Sequence, residues 1–282
     1  MPGKLTLVGT PIGNLGDMSP RGLEALRGCD FIAAEDTRVT RKLLTHFGIS
    51  RPLISYHEHN QRDQGERILA RLLDGQTVAL VTDAGMPAVS DPGEALVALC
   101  HQHGVPVEVV PGPAAVTAAV ALSGLPSGRF TFEGFLTTNK RGRREHLASL
   151  AREERTMVFY EAPHKLIYTL KDLLEALGDR RVTIAREITK IYEEVLPTTL
   201  AQAVAHYQNI PPKGEFVLVI EGKNPRETAK EDTVTPEEAA QRAKELMAEG
   251  LSASEAARRT AAETGCKKGD IYKCIMHDEA GN

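Results

Sequence analysis

Residues 81–93, "VTDAGMPAVSDPG", place two aspartates, two glycines and two prolines between an apolar run and an amphipathic one. The run before them, Val78-Ala79-Leu80-Val81, is apolar at successive positions, the mark of a strand buried on both faces. The run after them, 94–103, reads as a helix. Glycine lets a bound group lie against the main chain, and proline fixes the turn that presents it. The segment therefore reads as the rim of a buried sheet, built to hold something that a plain strand-to-helix connection could not.

The same alternation extends on either side. Apolar runs at 5–8, 31–34, 52–55, 77–81 and 107–110 alternate with amphipathic stretches at 19–27, 38–47, 62–73 and 94–103. Strands alternating with helices predict an α/β domain with a largely parallel sheet covered on both faces. A second block has strand candidates at 129–135, 156–160, 182–186 and 215–221, with helical stretches at 143–152 and 165–177, the latter closed by Gly178. The polar segment "KNPRETAKEDTVTP" has no periodicity and reads as a linker. Beyond it, Thr235-Pro236-Glu237-Glu238 and Ser252-Ala253-Ser254-Glu255 carry capping-box spacing. The expected organisation is an N-terminal α/β domain at 1–120, a second α/β domain at 121–224 completing a cofactor cleft, a linker at 225–234 and a small helical domain at 235–282.

Composition narrows the class. The chain has 282 residues, of which 41% are hydrophobic, enough for real cores. Its longest apolar runs fall well short of the roughly 20 residues that cross a bilayer, and Met1-Pro2-Gly3-Lys4 leads straight into a strand. No membrane span or export signal is expected. Cys29, Cys100, Cys266 and Cys274 share no metal or disulfide spacing, so a reducing cytoplasm fits and no metal is expected. A formal charge of -4 means that any polyanion must be met by a local basic patch.

Four segments leave strands with glycine or proline in register: "VGTPIGN" at 8–14, "TDAGMPAVSDPG" at 82–93, "VPGPAAVTAA" at 110–119 and "EAPHK" at 161–165. In open α/β sheets, ligands sit beyond the carboxyl ends of the strands. A single Gly-Pro turn is an ordinary connection, but four together point to a cofactor cleft. Ser90 or Asp91 fits as the cap of the helix that Pro92 would open. Asp83, before Ala84-Gly85 at a strand end, fits a ligand contact better. No phosphate-loop motif is present, and "GTPIGN" is not Gly-x-Gly-x-x-Gly. One dinucleotide-fold feature remains, since Glu35 and Asp36 end the second strand where such a fold places its ribose carboxylate.

These loops, together with "LTLVGTPIGNLGDMSPRGLEALRGCDFIAAEDTRVTRKLL", "SYHEHN", "VVPGPAAVTAA", "EGFL", "FYEAPHKL" and "REITKIYEE", resemble the small-subunit ribosomal RNA methyltransferases of the tetrapyrrole methylase superfamily. The resemblance runs over residues 4–222 and the helical tail. It implies a homodimeric enzyme that uses S-adenosylmethionine, bound in a folded shape between two α/β domains. It also implies 2'-O-methylation of the ribose of cytidine 1402 in 16S ribosomal RNA. By position, Pro11, Asp83, Ala84, Gly85, Ala88 and Ser90 would line the cofactor. Ala114 and Ala115 stand where relatives often have Thr-Ser, so Thr117 or main-chain amides would take over a hydroxyl's contact. Tyr160, Glu161, Arg186, Glu187 and Gly214 match second-domain segments that face the cleft.

A ribose hydroxyl is a poor nucleophile near neutrality and needs a base or a stabilising cation within hydrogen-bond reach. Asp36, His57 and Glu58 are the catalytic candidates for that chemistry, with His57 and Asp36 foremost for proton handling. Arg38, which could grip phosphate, Arg41, and Lys140, Arg141, Arg143 and Arg144 of "NKRGRRE" are the candidates for RNA contact, although such a charged loop can equally be a solvated face. The C-terminal segment has helix-turn-helix spacing and could dock RNA or pack on a partner subunit. Two rivals keep the fold: a precorrin-type C-methyltransferase, and a non-catalytic RNA-binding assembly factor that retains the cleft.

Overall fold

The computed structural model of the chain describes residues 2–224 and 235–279. They form two compact units, one comprising residues up to Ala151 with Arg155–Glu221, the other Arg152–Glu154 with residues from Gly222 onward. The linker expected at 225–234 lies outside the described residues.

The first unit holds two five-stranded sheets. Strands β1 (Leu5–Val8), β2 (Phe31–Ala34), β3 (Leu53–Ser55), β4 (Val78–Val81) and β5 (Val107–Val110) run in the order β3-β2-β4-β1-β5, every pair parallel. Helices α1 (Pro20–Gly28) and α2 (Thr37–His46) cover one face, where Leu26 and Leu44 pack with Ile32, Ala34, Ala79 and Val81. The other face packs against α3 (Gln61–Leu73) and α4 (Glu94–Gln102) through Ile68, Leu72 and Leu96. Strands β2 and β4 are buried at every position because they are covered on both sides. Because all five strands are parallel, the loops that follow them gather along one edge.

The second sheet contains β6 (Phe130–Phe135), β7 (Thr156–Glu161), β8 (Arg181–Arg186), β9 (Glu194–Thr199) and β10 (Phe216–Ile220), ordered β6-β7-β10-β8-β9. Here only β6 and β7 pair in parallel. Strand β9 and the helix after it, α8 (Leu200–Asn209), have no counterpart among the elements expected from sequence. Pro197 interrupts the strand pattern of β9, and the structure tolerates it because β9 is an edge strand. Helix α6 (Lys140–Ser149) begins three residues before the expected 143, since the Asn139 side chain accepts from the main-chain N–H of Arg141 and Gly142. Helix α5 (Ala115–Ser123) leaves the first sheet but buries Val116, Ala119 and Val120 against Val158, Ala185, Val217 and Val219 of the second. It spans the boundary expected between 120 and 121. The opposite face of this sheet is covered by α6, α7 (Leu166–Leu177) and α8.

The second unit packs α9 (Pro236–Ala248), α10 (Ala253–Thr264) and α11 (Lys268–Glu279) around Ala239, Ala243, Ala256, Ala257, Ile271 and Ile275. Its alanines let the helices approach closely. Thr235 and Glu238 make the full reciprocal capping box. At Ser252 the hydroxyl accepts from the Glu255 N–H, while the Glu255 carboxylate meets that hydroxyl instead of the main chain.

Candidate active site

Main-chain contacts tie together three loops at the carboxyl edge of the first sheet. Thr10 and Gly85 form an antiparallel bridge, each N–H donating to the other's carbonyl at 2.9 and 3.1 Å. The Thr10 hydroxyl donates to the Thr82 carbonyl at 3.2 Å. Gly9 and Gly112 touch so closely that a Cβ on Gly112 would lie 2.8 Å from the Gly9 Cα. The Gly112 N–H donates to Met86 Sδ at 3.3 Å. Glycine is required at both positions by this close approach.

Between these loops and the second sheet lies a cavity of about 480 Å³. Ile12, Val89, Val116, Ile188 and Phe135 supply apolar wall, and the Tyr160 ring meets those of Phe132 and Phe135 at 4.9 and 5.6 Å. Of the residues expected at a cofactor, the cavity brings together Asp83, Ala84, Gly85, Ala114, Ala115, Tyr160 and Glu161. Glu161 is itself anchored, accepting from the Ala162 N–H and the Thr169 hydroxyl.

The others do not line it. Ala88 and Ser90 instead take positive φ values, +66° and +64°, and so bend the second loop. Thr117 donates its hydroxyl to the Ala114 carbonyl at 3.1 Å. Arg186 pairs with Glu194 at 2.9 Å. Glu187 accepts from the Glu215 N–H and from Lys190, both at 2.9 Å, with Gly214 packed against it at φ +87°. Pro11 lines a neighbouring cavity.

Asp91 does not cap a helix as expected. Helix α4 takes Gly93 as its N-cap, at φ +147° and without a side-chain bond, and Asp91 faces the cavity. Burial, then the charges of Glu35 and Asp83, push its carboxyl up to about 6, against a hydrogen bond from Thr82. Asp83 is raised too, chiefly by partial burial. Glu35 accepts from the Thr82 hydroxyl at 2.6 Å and the Asp83 N–H at 3.3 Å, while Asp83 accepts from the Asp36 N–H at 3.0 Å. Three carboxylates therefore share one wall. Among the described residues the only basic side chain in the lining is Lys190, which is held by Glu187 and by Glu215 at 3.1 Å.

The expected proton handlers lie elsewhere. The Asp36 side chain caps α2 and is forked by Arg38 at 2.6 to 3.1 Å, which holds its carboxyl down at about 2. Asp36 thus caps a helix, and its side chain lines neither cavity. Arg38, expected for phosphate, is paired with Asp36 while its side chain stays 88% exposed. His57 and Glu58 follow the edge strand β3 and line neither cavity; the His57 N–H is turned to the Asn60 carbonyl oxygen of its side chain at 2.9 Å. Of the basic candidates, Arg41, Lys140 and Arg144 are exposed, while Arg141 is paired with Glu145. The Arg143 side chain is 16% exposed and bonded to Asp172 and Thr169. The second cavity, about 300 Å³, is lined by Pro11, Leu15, Val39, Thr40, Lys42 and Leu43, and shares Thr82 and Asp83 with the first. Among the described residues no group of three or more His, Cys, Asp or Glu is placed to hold a metal ion, and no helix is long and apolar enough to cross a membrane.

Two α/β halves around one cleft belong to a methylase class: the profile of the Tetrapyrrole (Corrin/Porphyrin) Methylases matches residues 4–204. The uroporphyrin-III C-methyl transferase from Thermus thermophilus, solved in complex with S-adenyl homocysteine, matches 77% of this chain and 97% of its own with a TM-score of 0.54 at 22% identity. The Ribosomal RNA small subunit methyltransferase I of a Synechocystis strain is 48% identical over 99% of both chains. The protein so named from Thermotoga maritima is 49% identical over 78% of this chain and 99% of its own. The chain belongs to the tetrapyrrole methylases and, within them, to the family of ribosomal RNA small subunit methyltransferase I.

Proposed function

We propose that the chain transfers a methyl group from S-adenosylmethionine to the ribose 2'-oxygen of cytidine 1402 in 16S ribosomal RNA. The observation that carries this reading is the near-full-length similarity to ribosomal RNA small subunit methyltransferases I, borne by a chain whose cleft suits that donor. When bound, S-adenosylmethionine supplies a methyl group on a sulfonium, a leaving group already cationic.

The lining fits such a molecule. Asp91, Asp83 and Glu35 offset its positive charge, which is what a wall of three carboxylates lacks by itself. Ile12, Val116, Ile188 and Tyr160 offer apolar surface to a nucleoside, and the main chain of Ala84-Gly85 and Ala114-Ala115 offers polar atoms at close range. Alignment then supplies much of the catalysis, since a positioned reaction has a very high effective molarity. The residues that remain to be assigned are those that take the ribose proton. Asp83 stands on the wall common to both cavities, and its raised carboxyl is a better base than Asp36. Exposed Arg41, Lys140 and Arg144 meet phosphate. The enzyme works in the cytoplasm as a homodimer, which sedimentation would test.

The test uses S-adenosylmethionine labelled on its methyl group, offered with small ribosomal subunits, naked 16S RNA and a precorrin, followed by digestion and mass spectrometry of nucleosides. The expected product is 2'-O-methylcytidine at 1402. Label on another nucleotide, on a base carbon or only in the tetrapyrrole would overturn the reading, and binding without transfer would favour an assembly factor.

A further inference from the structure

The smaller cavity stands beside the donor cleft with Thr82 and Asp83 as a common wall. We propose that it seats the acceptor nucleotide, the sugar at the Asp83 wall and the flanking phosphates outside against Lys42. This rests on the methyl-transfer reading above and adds where the acceptor goes.

Four observations support it. The volume, about 300 Å³, lies at the small end of ligand sites and suits one nucleoside, not a four-ring macrocycle. Pro11 and Leu15 come from the first loop, and Val39 and Leu43 from helix α2, so aliphatic side chains from two elements offer apolar surface to the faces of a base. Thr40 is 2% exposed, lines the same cavity, and its Oγ1 has no hydrogen-bond partner among the described residues. Buried hydroxyls are ordinarily satisfied, and the polar edge of a base would satisfy this one. Lys42 is the basic residue in the lining and is exposed, with Arg41 beside it in sequence, whereas Arg38 is paired with Asp36 and lies outside the lining. A nucleotide can enter such a pocket only out of its stack, so an unpaired or extruded residue is the substrate.

The experiment uses the full chain and three variants: Val39→Phe, which fills the cavity from the exposed face of α2, Lys42→Ala and Lys42→Arg. Donor affinity is read by calorimetry with S-adenosylmethionine, RNA affinity by filter binding across salt concentrations, and transfer by KM for small subunits. Donor affinity stays unchanged in all three. Val39→Phe raises the RNA KM by about tenfold or more, a loss of substrate binding. Lys42→Ala weakens RNA binding and lowers the salt slope by about 1, and Lys42→Arg restores both. Wild-type RNA KM and salt slope in Val39→Phe and Lys42→Ala would overturn the assignment while leaving methyl transfer standing. Loss of donor binding in Val39→Phe would also overturn it, since one cavity would then serve both ligands. Failure of the unaltered chain to methylate RNA would instead remove the reading on which it rests.

Discussion

Asp91 carries the clearest pH signature in the cleft. Its carboxyl is raised from 3.8 to about 6 by burial beside Glu35 and Asp83. A raised acid is penalised only where it ionises, so without ligand the destabilising contribution of Asp91 is absent below pH 4 and grows as pH rises towards 6. A cationic donor reverses the preference, because it favours the ionised carboxylate. Donor affinity should therefore rise through the same window, and Asp91→Asn should flatten both trends, as calorimetry and thermal unfolding at stepped pH would record. Asp83 yields a second expectation: Asp83→Asn keeps the oxygen that accepts from the Asp36 N–H but removes the base. It should lower kcat by about 10²-fold or more and also weaken donor binding, since Asp83 lines the donor cavity, whereas His57→Ala should leave donor affinity intact. The importance of Asp83 is legible in the sequence, at a strand end before Ala-Gly. That of Asp91 is not, because Ser-Asp-Pro looks like a helix start. Positive φ values at Ala88, Ser90 and Gly93 turn it into the cavity, and local sequence does not announce two left-handed non-glycine residues.

The loops matter as a set. Gly9 and Gly112 let the first and third approach within van der Waals contact, and the Thr10–Gly85 bridge fixes the second. Gly112→Ala places a Cβ 2.8 Å from the Gly9 Cα. Overpacking of that kind costs about 1–3 kcal/mol, and here it also spreads the donor cleft. A lower melting temperature together with weakened S-adenosylmethionine binding is the expected outcome; unchanged binding would show that the loops need not touch. The strands of the first sheet are readable because parallel strands buried on both faces are apolar throughout. Strand β9 escapes such reading, as an edge strand with Pro197 and a half-exposed pattern has no clean period.

The family profile, which matches residues 4–204, stops before the helical unit. The Thermotoga maritima relative is matched over 99% of its length by 78% of this chain. We propose that residues 235–279 fold separately from the α/β unit, so that a chain stopped after Glu221 binds S-adenosylmethionine within about twofold of the full chain, as independent sites do. Helix boundaries in that region follow from Thr235 and Ser252, whose capping signals are local and hence visible in sequence. A cleft depends on contacts distant along the chain, which is why its gathering of Glu35, Asp91 and Ile188 is not. The claim on which all else depends is that this carboxylate-walled cavity holds the methyl donor. A crystal structure with S-adenosylhomocysteine bound should place the ligand against Asp83-Ala84-Gly85, Ala114-Ala115 and Tyr160, beside Asp91. Density for it anywhere else on the molecule would contradict the account.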